Sequence, residues 1–331
     1  MKNERYYYGI LSKEEKAAYR MIYNGIKMRA LNIVVPVYLP AKQIQDVYLD
    51  VLYDNPLFYY INQTVIRMTG EPGYYILLPE YLYTNTEIER INQDIQNVLR
   101  RIDVKARTML SNEFRLEKYL HDSVVKSVAY DYDSLQKNDC YNAHSIVGAF
   151  LDKKAVCEGI SKAFKLLCNT YSMKCIVVLG KADPLGCFDG DTYHAWNLVK
   201  VGNGSYHVDV TWDNMFDHDL EHISYDYFNV TTNDILKDHQ PLPRKLPDCT
   251  DTGLNYFHCT KSFVSTYDEL TTLIAQRINS RAIMFKIRPN SADFTSMEEV
   301  KTKTYMALAH IMMSKRINKK TTVDCIMKLD T

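Results

Sequence analysis

The chain has 331 residues, 46% hydrophobic and 24% charged, with 40 basic side chains against 40 acidic ones. That length allows about two domains, and the balanced charge gives no electrostatic reason to bind nucleic acid or anionic lipid. No apolar h-region follows Met1, and no apolar run approaches the length of a membrane span, so a soluble, cytoplasmic protein that binds no membrane is expected.

The first region, residues 1–105, reads as mostly helical. Ser12-Lys13-Glu14-Glu15 is a capping box ahead of Tyr19, Ile22, Tyr23 and Ile26 at helical spacing. A second helix carries Ile44, Val47, Tyr48, Val51 and Leu52 and is closed by Asn55-Pro56. Runs at Thr64 to Met68 and Tyr74 to Leu78 flank Gly70-Glu71-Pro72-Gly73 and predict a hairpin. Thr84-Asn85-Thr86-Glu87 then caps a helix with Ile88, Ile91, Ile95, Val98 and Ile102 on one face.

Residues 106–240 hold the chemistry. A helix from Ser111 to about Val128 is followed by a shorter one from Asn142 to Leu151, a turn at Asp152-Lys153-Lys154, and a helix from Glu158 to Asn169. Strands are predicted at Cys175 to Gly180, Trp196 to Val201 and Ser205 to Thr211, the last two joined by a Gly202-Asn203-Gly204 hairpin loop. Pro241, Pro243 and Pro247 mark a boundary. Beyond it, 241–331 reads as a small α+β appendage, with helices at Thr266 to Ile278 and Thr295 to Lys315 and strands at Ala282 to Ile287 and Thr322 to Leu329.

Three residues stand at the edges of these middle elements. Cys157 sits at a helix start, His194 precedes Trp196 at a strand start, and Asp209 lies on the adjacent strand. A thiol is only about three per cent ionised at pH 7. A helix N-terminus and an imidazolium would both stabilise its thiolate, and a carboxylate on the other ring nitrogen would orient the imidazole and favour its charged form. The arrangement predicts nucleophilic acyl transfer. The Cys157 amide is the natural first oxyanion donor, with Tyr141, Asn142 and His144 as candidates for the second. Asp213 competes with Asp209 for the orienting role, and strand alternation favours Asp209.

The other chemistry-bearing residues read as structural. Cys140, Cys168, Cys175, Cys187, Cys249, Cys259 and Cys325 form no CxxC pair, so free thiols are expected rather than disulfides or a structural zinc. Cys168 and Cys175 read as small buried hydrophobes. His218-Asp219-Leu220-Glu221-His222 fits an H-x-x-E-H zinc-protease spacing, but its polar flanks read as a solvated loop. Cys140 with His144, and Cys187 with His194, lack the second ligand pair of a zinc site. No metal and no cofactor are expected.

The runs Asn142-Ala143-His144-Ser145 through Lys154-Ala155-Val156-Cys157-Glu158-Gly159, then His194-Ala195-Trp196-Asn197-Leu198-Val199, then His207-Val208-Asp209-Val210-Thr211-Trp212-Asp213 resemble the transglutaminase-like cysteine-protease superfamily. Ser224 to Asn229 resembles the segment after the core in bacterial members, and the first hundred residues resemble their helical leader. The resemblance implies an α+β, papain-like core, with Cys157 as nucleophile, His194 as the histidine and Asp209 as the aspartate. Trp196 and Trp212 match aromatic positions beside the last two. With Tyr141 and Asn142 they are the candidate substrate-binding residues. Ile160-Ser161 departs from the Tyr-Ala of many bacterial relatives, which bears on pocket shape.

The expected activity is thiol-dependent acyl transfer on peptide or protein amides, with hydrolysis favoured because water outnumbers amines and no feature excludes it. Transamidation or deamidation is the alternative within the class. A binding or scaffold module retaining the fold is the alternative outside it.

Overall fold

The computed structural model describes residues 5–63, 66–136, 140–186, 193–215, 223–278, 282–287, 291, 293–314 and 324–329. The chain divides into two compact units, Met1–Asp251 and Thr252–Thr331.

The first unit begins with α1 (Tyr6–Ile10) and α2 (Lys13–Lys27), the latter opened by the expected capping box, in which Ser12 and Glu15 each satisfy the other's backbone. β1 (Ile33–Val35) and α3 (Ala41–Asp54) follow, then the hairpin β2 (Met68–Glu71) and β3 (Tyr74–Leu77). β1 completes an antiparallel sheet in the order β1-β3-β2, a strand that a three-residue apolar run is too short to announce. Tyr19, Ile22 and Ile26 of α2, Ile44, Val47 and Val51 of α3, and Val35 and Leu77 of the sheet close a core of their own. α4 (Asn85–Ala106) starts at the Thr84/Glu87 capping box, and α5 (Glu113–Val125) starts at an Asn112 cap.

Two short parallel strands, β4 (Ala129–Tyr130) and β5 (Lys154–Ala155), bracket a 3₁₀ turn at Tyr141–His144 and one π-helical turn at Gly148–Asp152. The π turn ends at Lys153, whose φ of 60° reverses the chain. α6 (Cys157–Thr170) packs on the main sheet, whose strands are β6 (Lys174–Ala182), β7 (Tyr193–Val201), β8 (Gly204–Val208), β9 (Phe228–Val230) and β10 (His239–Pro241). The sheet is antiparallel throughout, in the order β10-β6-β7-β8-β9. The β7–β8 strands meet at Val201↔Gly204, so the loop between them is the two residues Gly202-Asn203, one shorter than expected. β8 stops at Val208, before the expected Thr211, because the Asp209 side chain takes the amides of Thr211 and Trp212 at 2.9 and 3.1 Å. α7 (Trp212–Met215) and α8 (Thr232–Ile235) are single turns around β9.

The N-terminal helices are tied to the sheet. Tyr7 and Tyr53 share a buried cluster with Val177, Val178 and Trp196, and the Tyr7 hydroxyl donates to the Val177 carbonyl at 2.6 Å. The proline-rich stretch packs in this unit as well: Leu242 N–H donates to Leu179, and Arg244 pairs with Asp50 at 3.1 Å.

The second unit contains α9 (Tyr256–Cys259), β11 (Phe263–Val264), α10 (Tyr267–Arg277), β12 (Ala282–Ile287), α11 (Met297–Ser314) and β13 (Asp324–Leu329). Its three strands pair parallel in the order β11-β12-β13 with a helix between successive strands, and Leu270, Ile274, Ile283, Phe285 and Val300 form its core. Among the described residues of both units, no helix is long and apolar enough to cross a membrane. Among the described cysteines, Cys157, Cys168, Cys175 and Cys249 are free thiols, and Cys168 and Cys175 are buried as expected.

Candidate active site

Cys157 opens α6. Its N-cap is Val156, which offers no side-chain acceptor, so the first amides of the helix meet no capping side chain and direct their partial positive charge to that end. Val156 N–H donates to the Ala143 carbonyl at 3.1 Å and fixes the entry to the helix. Gly159 permits this close approach, since a Cβ there would run into the carbonyl oxygens of Ala143 and Ser145. Cys157 is half-buried.

His194, on β7, is 9% exposed, and its Nε2 lies 2.6 Å from Asp209 Oδ2. The remaining nitrogen, Nδ1, is left for the Cys157 thiol, which interacts with the ring. Burial alone would lower the imidazole pKa. The Asp209 carboxylate and then Cys157 outweigh it, so the pKa is pushed up to about 10 and the imidazolium is the neutral-pH form.

Asp209 is fully buried and accepts four hydrogen bonds. Oδ1 receives the Thr211 and Trp212 amides, while Oδ2 faces His194 at 2.6 Å and His239 Nε2 at 3.0 Å. Burial opposes its ionisation, yet the two histidines hold its carboxyl far below the usual range. His239, on the edge strand β10, turns its Nδ1 to Asp238 Oδ1 at 2.6 Å, and Asp238 also accepts from the Tyr227 hydroxyl at 2.6 Å. The ligand-type atoms of His194, Asp209 and His239 lie within 4.8 Å of one another. Their direct contacts are those of N–H···O hydrogen bonds and every Asp209 acceptor direction is used, so the cluster reads as a hydrogen-bonded relay.

Asp213 belongs to a different pair. Its Oδ2 meets His121 Nε2 at 3.1 Å, so Asp209 and not Asp213 faces His194. Next to Cys157, Glu158 contacts His144 Nδ1 at 2.9 Å, Lys162 Nζ at 2.5 Å and the Tyr53 hydroxyl at 3.0 Å. Burial disfavours the Glu158 charge, but Lys162 and His144 prevail and hold its pKa down to about 2.

The candidate substrate-binding residues are placed unequally. Trp196 is fully buried, lies 6.2 Å from His194 ring to ring, and gives its indole N–H to His207 at 3.1 Å. Trp212 packs 5.7 Å from His194 and 4.4 Å from His239. Asn142 donates to Asp152 at 2.9 Å and accepts from Tyr83, so both ends of its amide shape the loop before Cys157. Tyr141 is half-buried on the same 3₁₀ turn. His218 to His222 and Cys187 lie outside the described residues.

Four residues at or near the site escaped the sequence reading: His239, Tyr130, Glu158 and His121. Tyr130 pairs with Ala155 in β4–β5, which sets its ring beside Cys157. Burial and then Cys157 raise its pKa, keeping the hydroxyl protonated. His121 and Glu117 carried a signal, because both fall on the apolar stripe of α5 with Leu116, Leu120 and Val124. His239 carried none, since a histidine beside an aspartate in a short edge strand has no distinguishing pattern.

Residues 96–210 match the family model described as the transglutaminase-like superfamily. The Kyphoscoliosis peptidase of Mus musculus is 28% identical over 90 residues, which are 26% of this chain and 14% of the mouse protein. A crystal structure of a TGase aligns with a TM-score of 0.34 at 16% identity, covering 58% of this chain and 52% of the other. A crystal structure of menin, which reveals its binding site for the Mixed Lineage Leukemia protein, aligns with a TM-score of 0.22 at 13% identity, covering 65% and 42%.

Proposed function

We propose, since residues 96–210 match the transglutaminase-like superfamily, that the chain is an amide-directed acyl transferase using Cys157, His194 and Asp209, and that water is its acceptor. The observation that carries this reading is the 2.6 Å contact between Asp209 and His194 Nε2, which turns the other ring nitrogen to a thiol at a helix start.

Cys157 Sγ attacks the amide carbonyl carbon. The developing oxyanion meets the Cys157 backbone N–H, and the protonated Tyr130 hydroxyl is the second donor. His194 carries the proton that the leaving amine takes as the C–N bond breaks, and Asp209 keeps the ring oriented. The acyl-thioester is then attacked by water, whose proton passes to His194, and the acid is released from a regenerated Cys157. Trp196 and Trp212 pack on the histidine and hold its ring in plane.

The peptidase name of the mouse relative sides with hydrolysis. The test is incubation of wild type and Cys157→Ala with a peptide library, with and without an added primary amine, read by mass spectrometry. Backbone cleavage that needs Cys157 is the expected result. Amine incorporation or side-chain deamidation would replace water or the peptide bond in the reading, and activity that survives in Cys157→Ala would overturn it. A wild type that turns over nothing and whose Cys157 alkylates like an ordinary thiol would leave a binding module.

A further inference from the structure

The hydrogen-bonded cluster does not end at Asp209. His239 is 1% exposed, and its two ring nitrogens each face a carboxylate: Nε2 lies 3.0 Å from Asp209 and Nδ1 2.6 Å from Asp238. A neutral imidazole has one N–H and one bare lone pair, so contact with ionised carboxylates on both sides leaves one contact repulsive. The doubly protonated ring satisfies both. Its ring is packed 4.4 Å from Trp212, 5.0 Å from Trp196 and 5.5 Å from Tyr227, which fixes the plane in which those N–H groups point.

We propose that His239 is a positioning residue of this site: a second imidazolium that shares the Asp209 carboxylate with His194, anchored on its far side by Asp238. The cluster then alternates in sign, from Asp238 through His239 and Asp209 to His194. Asp209 is held in one orientation by donors on both oxygens, so it presents Oδ2 to His194 without competing rotamers. The charge on His239 also tempers the pull of Asp209 on the His194 proton, since the two rings are 5.5 Å apart.

The charged and titratable groups facing His239 are Asp209, Asp238, His194, His207 and Tyr227. His207 is neutral at working pH: burial and then His239 lower its pKa to about 4, and its Nδ1 accepts the Trp196 indole N–H. Tyr227 is protonated, because burial and then Asp238 raise its pKa. The carboxylates outweigh burial in raising that of His239 itself.

This inference rests on the proposed thiol chemistry for its purpose, but its test does not. In wild type labelled with ¹⁵N-histidine and assigned through side-chain correlations, both His239 ring nitrogens should be protonated at pH 7. A single protonated nitrogen at that pH would overturn the proposal whatever Cys157 does. His239→Gln keeps a side-chain donor for Asp209 and removes the charge. It should move the His194 titration to higher pH by about one unit, and shift the pH profile of Cys157 alkylation by iodoacetamide in the same direction. Rescue of the wild-type positions by Gln would show a merely structural hydrogen bond and overturn the charged role. Failure of the proposed function reads differently, as a wild-type Cys157 with the alkylation profile of a free thiol.

Discussion

Two buried histidine–carboxylate pairs grow from one stretch of this chain, Asp209 with His194 and Asp213 with His121. They share burial, hydrogen-bonded geometry and raised imidazole pKa values, about 10 for His194 and about 9 for His121. Against burial, Asp122 and Asp213 raise the second as Asp209 and Cys157 raise the first. They differ in what the other ring nitrogen meets. For His194 it is a half-buried thiol at a helix start. For His121 it is Asp122 at 3.2 Å, with Phe228, Tyr225 and Phe164 closing round the ring. A perturbed histidine beside an aspartate is thus not itself a site. The thiol on the far nitrogen, and access to it, set the two pairs apart.

Exchanging the roles of the two histidines breaks this comparison most sharply. His194→Ala should remove turnover by about four orders of magnitude while the fold survives. His121→Ala should leave kcat of the folded fraction unchanged and cost about 3 kcal/mol of stability in urea unfolding, because Asp213 loses its buried counter-ion. The His121 cost has a pH signature. Its folded pKa lies above its unfolded one, so the stabilisation is full below pH 6.5 and is lost as pH rises through about 9. A loss of activity in His121→Ala beyond its loss of folded protein would erase the distinction.

The carboxylates sharpen it next. Asp209→Asn should lower kcat by about a hundredfold or more through the wrong imidazole tautomer, with Asp213→Asn within about threefold of wild type. Equal losses in the two would assign the orienting role to the network as a whole. Tyr130→Phe should lower kcat by about ten- to a hundredfold, with KM little changed, if its hydroxyl acts on the oxyanion; an unaltered kcat would remove it from that role.

The smallest effect concerns Glu117, on the same helix as His121. It is fully buried, and its Oε2 accepts from Asn229 at 2.8 Å, while Oε1 has no partner among the described residues. Burial pushes its pKa up to about 8. Its contribution to stability is therefore full below its ordinary pKa and lost as pH rises through about 8. Glu117→Gln should be near neutral at pH 5 and stabilising by about 2 kcal/mol at pH 9. Equal urea midpoints for the two proteins at pH 9 would contradict this.

Much of the architecture was legible in the chain because its signals are local. Capping boxes at Ser12 and Thr84, the apolar stripes of α2, α3 and α4, and the β7–β8 hairpin depend on residues within a few positions of one another. Each appears near where spacing placed it. The placement of Cys157, His194 and Asp209 was readable for a related reason: helix start, strand start and hairpin each follow from short-range pattern, and a hairpin register brings its two strands together.

Contacts between segments far apart in sequence were decided only by the tertiary structure. Whether Asp209 or Asp213 meets His194 depends on where β8 ends, and that end is set by the Asp209 side chain taking two amides of its own turn. His239 reaches Asp209 across a sheet edge, and His121 reaches Asp213 across 92 residues. No periodicity encodes such pairings, because a buried polar group takes whatever partner the packed elements bring to it. The sequence by itself determined which residues stand at the helix start, the strand start and the hairpin; the packing decided which histidine faces the thiol, which is walled in, and which shares the carboxylate between them.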